Sequence, residues 1–540
     1  MFDVLVVGGT LHDGSGDPGR RADVGIQGDR VVAIGALEDG ASEAPEVLDA
    51  TGLVVAPGFI NPLSHSYFSM LEDPRSLGEL LQGVTTQVFG EGDSLGPLNA
   101  AMRRDMAARL ASLDVEVSWS RLSEFLALLA RRGVSQNICS FVGAATIRQH
   151  VLGAEQRKVS PRELDVMVQL VAEEIDDGAI GVGSSLIYPP GSYASTEELL
   201  ALCTAAAAHG GSYISHVRSE GDRLLEGITE LVTIATRAGL PAEVFHLKAL
   251  GRRNWPLMDR AIDLIQQARD DGIAVTADAY PYTANGTHLH ACLPPELHAG
   301  GHAELIRRLA DPAIREQAKL TMVRPGKGWE NMYELCGGAA QIVVVGAGQP
   351  YQQFAGKTLA EIAEALGTDA PEAAIRLIEA TPLDEKRGVQ CVFFTMSDQN
   401  VEKVLRLPWV SLGSDAPSIA AEEPRRSEPT HPRAYGCFAR FLGHYVRERK
   451  LTGLPDAVRR LASLPATNLG LAGRGRVEEE SFADLVIFDP EEVADYATYE
   501  QPHQYAIGVR AVLVNGAVAV REGRFTGRLA GRHLRRGVKC

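Results

Sequence analysis

Val55-Ala56-Pro57-Gly58-Phe59-Ile60-Asn61-Pro62-Leu63-Ser64-His65-Ser66 is the segment from which the fold of this chain is inferred. Its first six residues are apolar residues, proline and glycine, which predicts a buried strand. Polar side chains follow from Asn61 onward, and His65 stands just beyond the end of the strand. The segment therefore predicts a strand that carries its chemistry at its carboxyl end, as the strands of a TIM barrel do.

Strands alternate with amphipathic helical segments after this point, the pattern of a parallel α/β sheet. Eight βα units over roughly 400 residues predict a (β/α)8 TIM barrel with insertions. The predicted strands are residues 54–60, 85–89, 137–142, 179–184, 212–216, 242–246, 274–279 and 409–414, and helices are predicted at 160–176, 195–209 and 258–271. The barrel domain is assigned to residues 56–470.

Two further units are predicted around the barrel. Residues 1–55 and 475–530 contain short strands with turns rich in glycine and aspartate, including a hairpin at Asn515-Gly516. Neither end has enough strands to cover a core alone, so we expect both to pair in one small β-sandwich. Residues 283–350, after strand seven, are too long for a simple connection and predict an inserted subdomain or lid.

Composition excludes several classes of function. The 540 residues carry a formal net charge of −16, which argues against nucleic acid or an anionic membrane as a partner and leaves a small molecule. The seven cysteines show no CxxC spacing, which fits a reducing compartment. The start of the chain does not resemble a signal peptide, and the longest apolar run is too short to span a bilayer. We therefore expect a cytoplasmic protein; its oligomeric state is not predicted.

Candidate metal ligands lie at the ends of the predicted strands. They are His65, Glu91 with Asp93, His216 and His246, and the last strand ends at Asp415. Imidazole and carboxylate form the ligand set of a catalytic zinc with an open water position. Each has an ordinary alternative: a hydrogen-bonded histidine, a carboxylate that caps the next helix, or, for Asp415, a turn residue.

Four further residues are candidates for substrate binding. Lys248 and Arg433 could bind a substrate carboxylate, although a surface salt bridge would explain either cation. Tyr280 follows strand seven and Tyr188 follows strand four. Both tyrosines could line a substrate pocket, or could serve only in packing and turns.

Motifs spread along essentially the whole chain carry a resemblance to a known family. They are residues 56–60 with Gly83-Val84-Thr85-Thr86, Ser215-His216-Val217-Arg218, His246-Leu247-Lys248, Asp278-Ala279-Tyr280-Pro281-Tyr282, Gly413-Ser414-Asp415, His431-Pro432-Arg433-Ala434-Tyr435-Gly436, and 463–470 before the strand at 483–488. In these motifs the chain resembles the N-acyl-D-amino-acid deacylase (D-aminoacylase) family of the amidohydrolase superfamily. The resemblance implies a TIM barrel flanked by a β-sandwich from both termini, with an insertion after strand seven.

The resemblance also implies roles for individual residues. His216 and His246 match the two histidines of the tight zinc, and Asp415 matches the aspartate that acts as general base and then general acid. Lys248 and Tyr280 fall near the groups that hold the substrate carboxylate, with Arg433 beside them. His65 matches the second member of the His-x-His pair that ends strand one.

The chain departs from the family pattern at three positions of the metal site. Leu63 replaces the first histidine of the pair, Asn61 replaces an aspartate, and Gly92 stands where a cysteine ligates zinc. A zinc held by two histidines alone would be weak, so a carboxylate from Glu91 or Asp93 must substitute if the metal is kept. The second metal position would have His65 and Asp415 only and is expected to be empty, while Leu63 is expected to narrow the substrate pocket.

The sequence therefore predicts an amidohydrolase with one zinc per chain that cleaves the amide bond of an N-acyl (D-)amino acid or a small peptide-like substrate. Two alternatives remain open at this stage. One is a divergent reaction on the same scaffold, such as acyl transfer. The other is a metal-free pseudoenzyme or binding protein, since one barrel supports many functions.

Overall fold

The computed structural model of the chain describes residues 2–37, 44–113, 115–381, 388–423 and 430–537. Its centre is a barrel of eight parallel strands. In order these are Phe59–Asn61, Val84–Phe89, Asn137–Ser140 with Val142–Gly143, Gly181–Ser185, Ser212–His216, Ala242–Val244, Val275–Ala279 and Val410–Leu412, called barrel strands one to eight. Strands eight and one meet through the parallel bridge between Ser64 and Ala416, and the Asp415 amide donates to the Leu63 carbonyl at 2.9 Å.

The first predicted strand differs from the observed one. Residues 54–60 form two strands: Val54–Pro57 pairs with Leu485–Phe488 outside the barrel, and Phe59–Asn61 is barrel strand one. Gly58 lies between them, and a Cβ at this position would lie 2.3 Å from the side chain of Thr85. Only glycine allows the chain to pass this close to strand two as it leaves one sheet and enters another.

Helices cover the outside of the barrel. Those predicted at 160–176, 195–209 and 258–271 are observed as Pro161–Asp176, Thr196–Ala208 and Leu257–Asp270. Ser160 and Ser195 cap the first two, because each hydroxyl accepts a backbone N–H of the first turn. The other α-helices of the barrel domain are Tyr67–Glu72, Leu77–Leu80, Ala100–Arg109, Leu122–Arg132, Ala144–Leu152, Leu224–Ala238, Asp398–Leu405, Arg433–Arg440, Leu454–Leu461 and Ser463–Leu469, and a π-helical segment runs over Phe441–Glu448.

Two sheets built from the ends of the chain pack beside the barrel. One contains Arg30–Gly35, Asp23–Gln27, Val4–Val7 and Glu46–Asp49; the other contains Arg524–Phe525, Ala517–Arg521, Val509–Val514, Leu485–Phe488, Val54–Pro57, Thr10–Leu11 and Arg20–Arg21. Their facing side chains, such as Val6, Ile26, Ile487 and Leu513, share one buried apolar cluster. Burial of that shared cluster explains why segments more than 400 residues apart belong to one structural unit.

A further unit follows barrel strand seven. Its antiparallel sheet contains Asn285–His288, Gln390–Phe393, Ile342–Gly346 and Lys357–Thr358, and its helices are His302–Leu309, Pro312–Met322, Met332–Leu335, Leu359–Ala365 and Ala370–Ala380. It has its own buried apolar cluster. The sheet continues past residue 350, where the sequence placed the boundary, because Gln390–Phe393 pairs with both Asn285–His288 and Ile342–Gly346.

Among the described residues, none of the helices has the length and apolar character needed to cross a bilayer.

Candidate metal centre and active site

Five of the predicted site residues meet at the carboxyl ends of the barrel strands. His65 follows strand one, Glu91 follows strand two, and His216 is the last residue of strand five. His246 lies two residues beyond strand six, and Asp415 lies three residues beyond strand eight. The parallel arrangement directs every strand end to the same face of the barrel, which brings residues far apart in the sequence into one cluster.

Glu91 is the centre of this cluster. Its Oε1 lies 2.9 Å from Nδ1 of His216 and 3.2 Å from Nε2 of His246. Its Oε2 lies 3.0 Å from Nε2 of His65, which is also 3.0 Å from Oδ1 of Asp415. Glu91 therefore belongs to two sets of potential metal ligands, Glu91–His216–His246 and His65–Glu91–Asp415, in each of which the donor atoms lie within 4.8 Å of one another.

The geometry distinguishes the two carboxylates that the sequence left open. Asp93 is exposed and belongs to neither ligand set of the described residues, whereas Glu91 belongs to both. Gly92 has φ +77°, and a Cβ there would lie 2.6 Å from Cβ and 2.8 Å from N of Ser185. A side chain such as cysteine cannot occupy position 92 without moving the strand that contains Ser185, whereas the carboxylate of the preceding residue, Glu91, reaches the histidines.

Two of the site residues have left-handed backbone conformations. His246 has φ +34° and Asp415 has φ +49°, values that residues with a side chain seldom adopt. The His246 amide donates to Oδ1 of Asp278 at 3.0 Å, and the Asp415 amide donates to the Leu63 carbonyl at 2.9 Å. These hydrogen bonds hold the backbone in conformations of higher energy, a feature often found at functional sites.

Glu220 is a site residue that the sequence analysis missed. Its Oε1 lies 3.0 Å from Nδ1 of His246 and 2.5 Å from Nζ of Lys248, and its Oε2 lies 3.4 Å from Nε2 of His216. The imidazole nitrogens that face away from Glu91 thus face Glu220, an arrangement that fixes the orientation of metal-binding histidines. Glu220 lies four residues after His216, just beyond the end of a strand, and this position is the sequence signal that could have indicated it.

Glu330 belongs to the inserted unit and holds the backbone of Glu220 by hydrogen bonds. Its Oε1 accepts the backbone N–H groups of Glu220 and Gly221, the second at 2.9 Å. Burial, together with the neighbouring charge of Glu220, raises the pKa of Glu330 to about 8. No local sequence pattern marks Glu330, because its contact with the site depends on how the insert packs on the barrel.

The pKa values of the site fit a cation-binding cluster. Burial alone would lower the pKa of His65, but hydrogen bonds to Asp415 and Glu91 raise it to about 9. Burial and Lys248 act to lower the pKa of His246, yet Glu220 and Glu91 raise it to about 10. Both upward shifts come from the buried carboxylates around the imidazoles, an arrangement that favours a positive charge at this place.

Asp415 also contacts a cation. Its Oδ2 lies 2.6 Å from Nη1 of Arg433. Burial acts to raise the pKa of Asp415, but Arg433 and the bonded His65 outweigh burial and hold it below its usual range. Arg433 also lies 4.7 Å above the ring of Tyr280, and Tyr188 packs 5.7 Å from the ring of His216.

The other two departures from the family pattern, Asn61 and Leu63, lie at or just after barrel strand one and have structural explanations. The Asn61 amide donates to Oε1 of Glu79 and to Oγ of Ser414, both at 2.8 Å. An aspartate at position 61 would instead place a second carboxylate beside Glu79, whose pKa burial already raises to about 7. Leu63 is buried in the apolar cluster of the barrel interior, with Ile60 and Phe245 among its members, and its contact with substrate stays a prediction.

The donor set fits a divalent transition metal. The two imidazoles and one carboxylate of Glu91–His216–His246 match the protein ligands typical of a catalytic zinc site, which keeps one coordination position open. The three side chains are nearly or fully buried and their outer nitrogens face a carboxylate, as metal-binding histidines require. The residues present are therefore suited to the metal that the resemblance implies.

Comparison with known proteins gives a consistent result. Residues 46–520 match the amidohydrolase family. The chain is 34% identical to the D-aminoacylase of Alcaligenes xylosoxydans xylosoxydans over 99% of this chain and 98% of that protein. A D-aminoacylase structure determined to define the role of its binuclear metal centre has a TM-score of 0.80 and 32% identity, covering 99% of this chain and 100% of the other.

A third relative was solved with ligands. It is the N-acyl-D-glutamate deacylase of Bordetella bronchiseptica, in complex with zinc and a phosphonate inhibitor that mimics the tetrahedral intermediate. It has a TM-score of 0.80 and 30% identity over 99% of each chain. The chain thus belongs to the amidohydrolase family, and it is a hydrolase of amide C–N bonds other than peptide bonds.

The contacts of Glu220 lead to a testable prediction. Glu220→Gln should weaken zinc binding by about 10- to 100-fold, because loss of an outer carboxylate typically has that effect on metal affinity. The measurement is zinc affinity by competition with a chelator. Glu226→Gln removes an exposed carboxylate nearby that pairs with Arg223 and should leave zinc affinity unchanged. Equal zinc affinity in the two variants would contradict the orienting role of Glu220.

Proposed function

We propose that this amidohydrolase uses one zinc ion at the barrel site to hydrolyse the amide bond of an N-acyl-D-amino acid. The observation that carries the proposal is the carboxylate of Glu91, with two imidazoles on one side and the His65–Asp415 pair on the other. The relatives act on N-acyl-D-amino acids, and the deacylase bound to zinc and a phosphonate supports both the metal and the reaction class.

Glu91, His216 and His246 would hold the zinc. A zinc ion in this position polarises a carbonyl and lowers the pKa of a nearby water. The second set, His65–Glu91–Asp415, shares Glu91 with the first and has the cationic Arg433 at 2.6 Å from Asp415. Repulsion between Arg433 and a second divalent ion favours a single zinc at the barrel site.

Asp415 would carry the proton through the reaction. Its lowered pKa keeps it a carboxylate, the form that can accept a proton from the attacking water. The water oxygen then bonds to the amide carbon. The proton passes from Asp415 to the amide nitrogen as the C–N bond breaks, so the products are a carboxylic acid and a free amine. His65 donates to Oδ1 of Asp415 and holds it in place.

Tyr280 and Arg433 would bind the carboxylate of the substrate. Among the contacts of the described residues, the buried Tyr280 hydroxyl and Nε of Arg433 have no hydrogen-bond partner. Lys248, in contrast, already has partners within the protein. Its ammonium contacts Oε1 of Glu220 and, at 2.7 Å, Nδ1 of His246. We therefore assign Lys248 to the support of Glu220, and Tyr188 to the wall of the pocket beside His216.

The direct test is an assay of stereochemistry and metal. The purified, zinc-loaded protein is given matched pairs of N-acetyl-D- and N-acetyl-L-amino acids, and release of the free amino acid is measured. Hydrolysis should favour the D isomers and should be lost on chelation and restored by zinc. Preference for L isomers, or full activity in the chelated protein, would contradict the proposal.

Asp415→Asn tests the proton transfer. The substitution should lower kcat by at least ~10²-fold, because general acid–base catalysis typically contributes that factor. Zinc content should be unchanged, since Asp415 is not a member of the Glu91–His216–His246 set, and circular dichroism should show an intact fold. If turnover of the substrate identified above is retained, Asp415 does not transfer the proton.

Tyr280→Phe tests recognition of the carboxylate. Loss of one hydrogen bond to a charged group should raise KM roughly tenfold, with a smaller effect on kcat. Tyr282→Phe is the matched control, because the Tyr282 hydroxyl lies 3.5 Å from both the Pro432 carbonyl and Asp495. A similar KM for both variants would remove Tyr280 from substrate binding.

A further inference from the structure

His431 bonds through its two ring nitrogens to the backbone of two different segments. Its Nε2 donates to the Ala284 carbonyl at 3.1 Å, and its Nδ1 accepts the backbone N–H of Arg433 at 3.0 Å. A nitrogen that accepts an N–H carries a lone pair, and one that donates to a carbonyl carries the proton, so the ring is the neutral Nε2–H tautomer. Burial and the adjacent Arg433 hold the pKa of His431 well below its usual range, which keeps the ring in this form.

The two segments that His431 joins are the ones that place the guanidinium of Arg433. Arg433 is the first residue of the helix Arg433–Arg440, so its backbone N–H lies at the start of that helix. Ala284 stands two residues before Gly286, whose carbonyl lies 3.4 Å from Nη2 of Arg433. A Cβ at Gly286 would lie 3.3 Å from the same Nη2, so this strand approaches the guanidinium closely. One imidazole therefore links the backbone of Arg433 to the strand against which its guanidinium lies.

The ring of His431 is itself held by aromatic neighbours from two parts of the chain. Its centroid lies 5.4 Å from that of Tyr282, which follows barrel strand seven, and 5.2 Å from that of Tyr499, which belongs to the C-terminal part of the chain. The rings of both pairs are nearly perpendicular, at 89° and 87°, an arrangement that the charge distribution of aromatic rings favours. Packing thus fixes the plane of the imidazole, and with it the directions of its two hydrogen bonds.

The orientation of the Arg433 guanidinium matters in the proposed reaction. Its Nη1 lies 2.6 Å from Oδ2 of Asp415, and the guanidinium lies 4.7 Å above the ring of Tyr280. Its Nε is buried, has no hydrogen-bond partner among the described residues, and is the atom assigned above to the substrate carboxylate. The donors of a guanidinium form a rigid planar fork, so a rotation of the side chain moves all of them together. Such a rotation would turn Nε away from the substrate and Nη1 away from Asp415.

We propose that His431 is a positioning residue for substrate binding, because its hydrogen bonds hold Arg433 where Nε can bind the substrate carboxylate and Nη1 can pair with Asp415. This inference rests on the proposed function, in which Arg433 binds that carboxylate. His431 acts through Arg433 and not on the substrate. The decisive bond is the one that Nδ1 accepts from the backbone N–H two residues later, the same bond that an asparagine makes in an Asx turn.

The test compares two substitutions that each keep one of the two hydrogen bonds. In His431→Asn the amide oxygen stands near the position of Nδ1 and can accept the Arg433 N–H, as in an Asx turn. In His431→Gln the longer amide can donate to the Ala284 carbonyl but leaves the Arg433 N–H without its acceptor. His444→Gln is the matched control, because His444 lies beyond this helix, is only partly buried and pairs with Glu448.

The readout is the preference of the enzyme for a substrate carboxylate. Each zinc-loaded protein is given an N-acetyl-D-amino acid and the corresponding carboxamide, and kcat/KM for acetate release is measured with both. His431→Gln should lower the ratio of the two values roughly tenfold, mainly through a higher KM for the carboxylate, because a hydrogen bond to a charged group typically contributes that factor. His431→Asn and His444→Gln should keep the parent ratio. An effect through Asp415 acts on both substrates and cancels in the ratio.

The outcomes separate positioning from a merely structural role. An unchanged ratio in His431→Gln, or an equal loss in His431→Asn and His431→Gln, would overturn the inference. If His431→Gln does not fold by circular dichroism, His431→Ala takes its place, since alanine removes both hydrogen bonds without adding bulk.

Failure of the proposed function would be visible separately. If the parent hydrolyses no N-acyl-D-amino acid, crystal structures of the same proteins still decide the positioning role. A guanidinium displaced from Asp415 in His431→Gln but not in His431→Asn would support it, and an unmoved guanidinium in both would overturn it.

Discussion

The arrangement of this active site depends on the placement of one buried carboxylate, Glu91, among three imidazoles. Hydrogen bonds to His216, His246 and His65 hold its pKa far below the usual value, although burial acts in the opposite direction. A buried charge of this kind is stable only when it is paired, and each pairing histidine comes from a different barrel strand. Glu91 therefore links the ends of strands one, two, five and six at the mouth of the barrel.

The backbone around Glu91 limits which residues of this loop can carry a side chain. Gly90 and Gly92 both have left-handed conformations, and a Cβ on Gly90 would lie 2.4 Å from the Phe141 carbonyl. A side chain at either glycine would therefore collide with the neighbouring strands, whereas the Glu91 side chain between them reaches the histidines. One oxygen of the Glu91 carboxylate contacts His216 and His246, and the other reaches His65.

The barrel site is also linked to the inserted unit through Glu220. This residue contacts His216 and His246 on the sides that face away from Glu91, and it forms an ion pair with Lys248. Its backbone N–H donates to Glu330 of the insert. Burial acts to raise the pKa of Glu220, but His216 and Lys248 lower it to about 2. The orientation of the imidazoles is in this way coupled to the packing of a separate unit with its own apolar core.

The sequence alone determined the barrel, because strand periodicity and polar strand ends are local patterns. It also predicted, from their positions after strands, that His216, His246, His65 and Asp415 would lie at one end of the barrel, where the structure brings them together. The tertiary structure decided what depends on distance across the barrel: it places Glu91 rather than Asp93 among the histidines, pairs Lys248 with Glu220, and pairs Arg433 with Asp415. It also revealed the contacts of Glu220 and Glu330 with the barrel site. No local pattern predicts these contacts, because each joins elements whose separation in space is set by packing and not by their spacing along the chain.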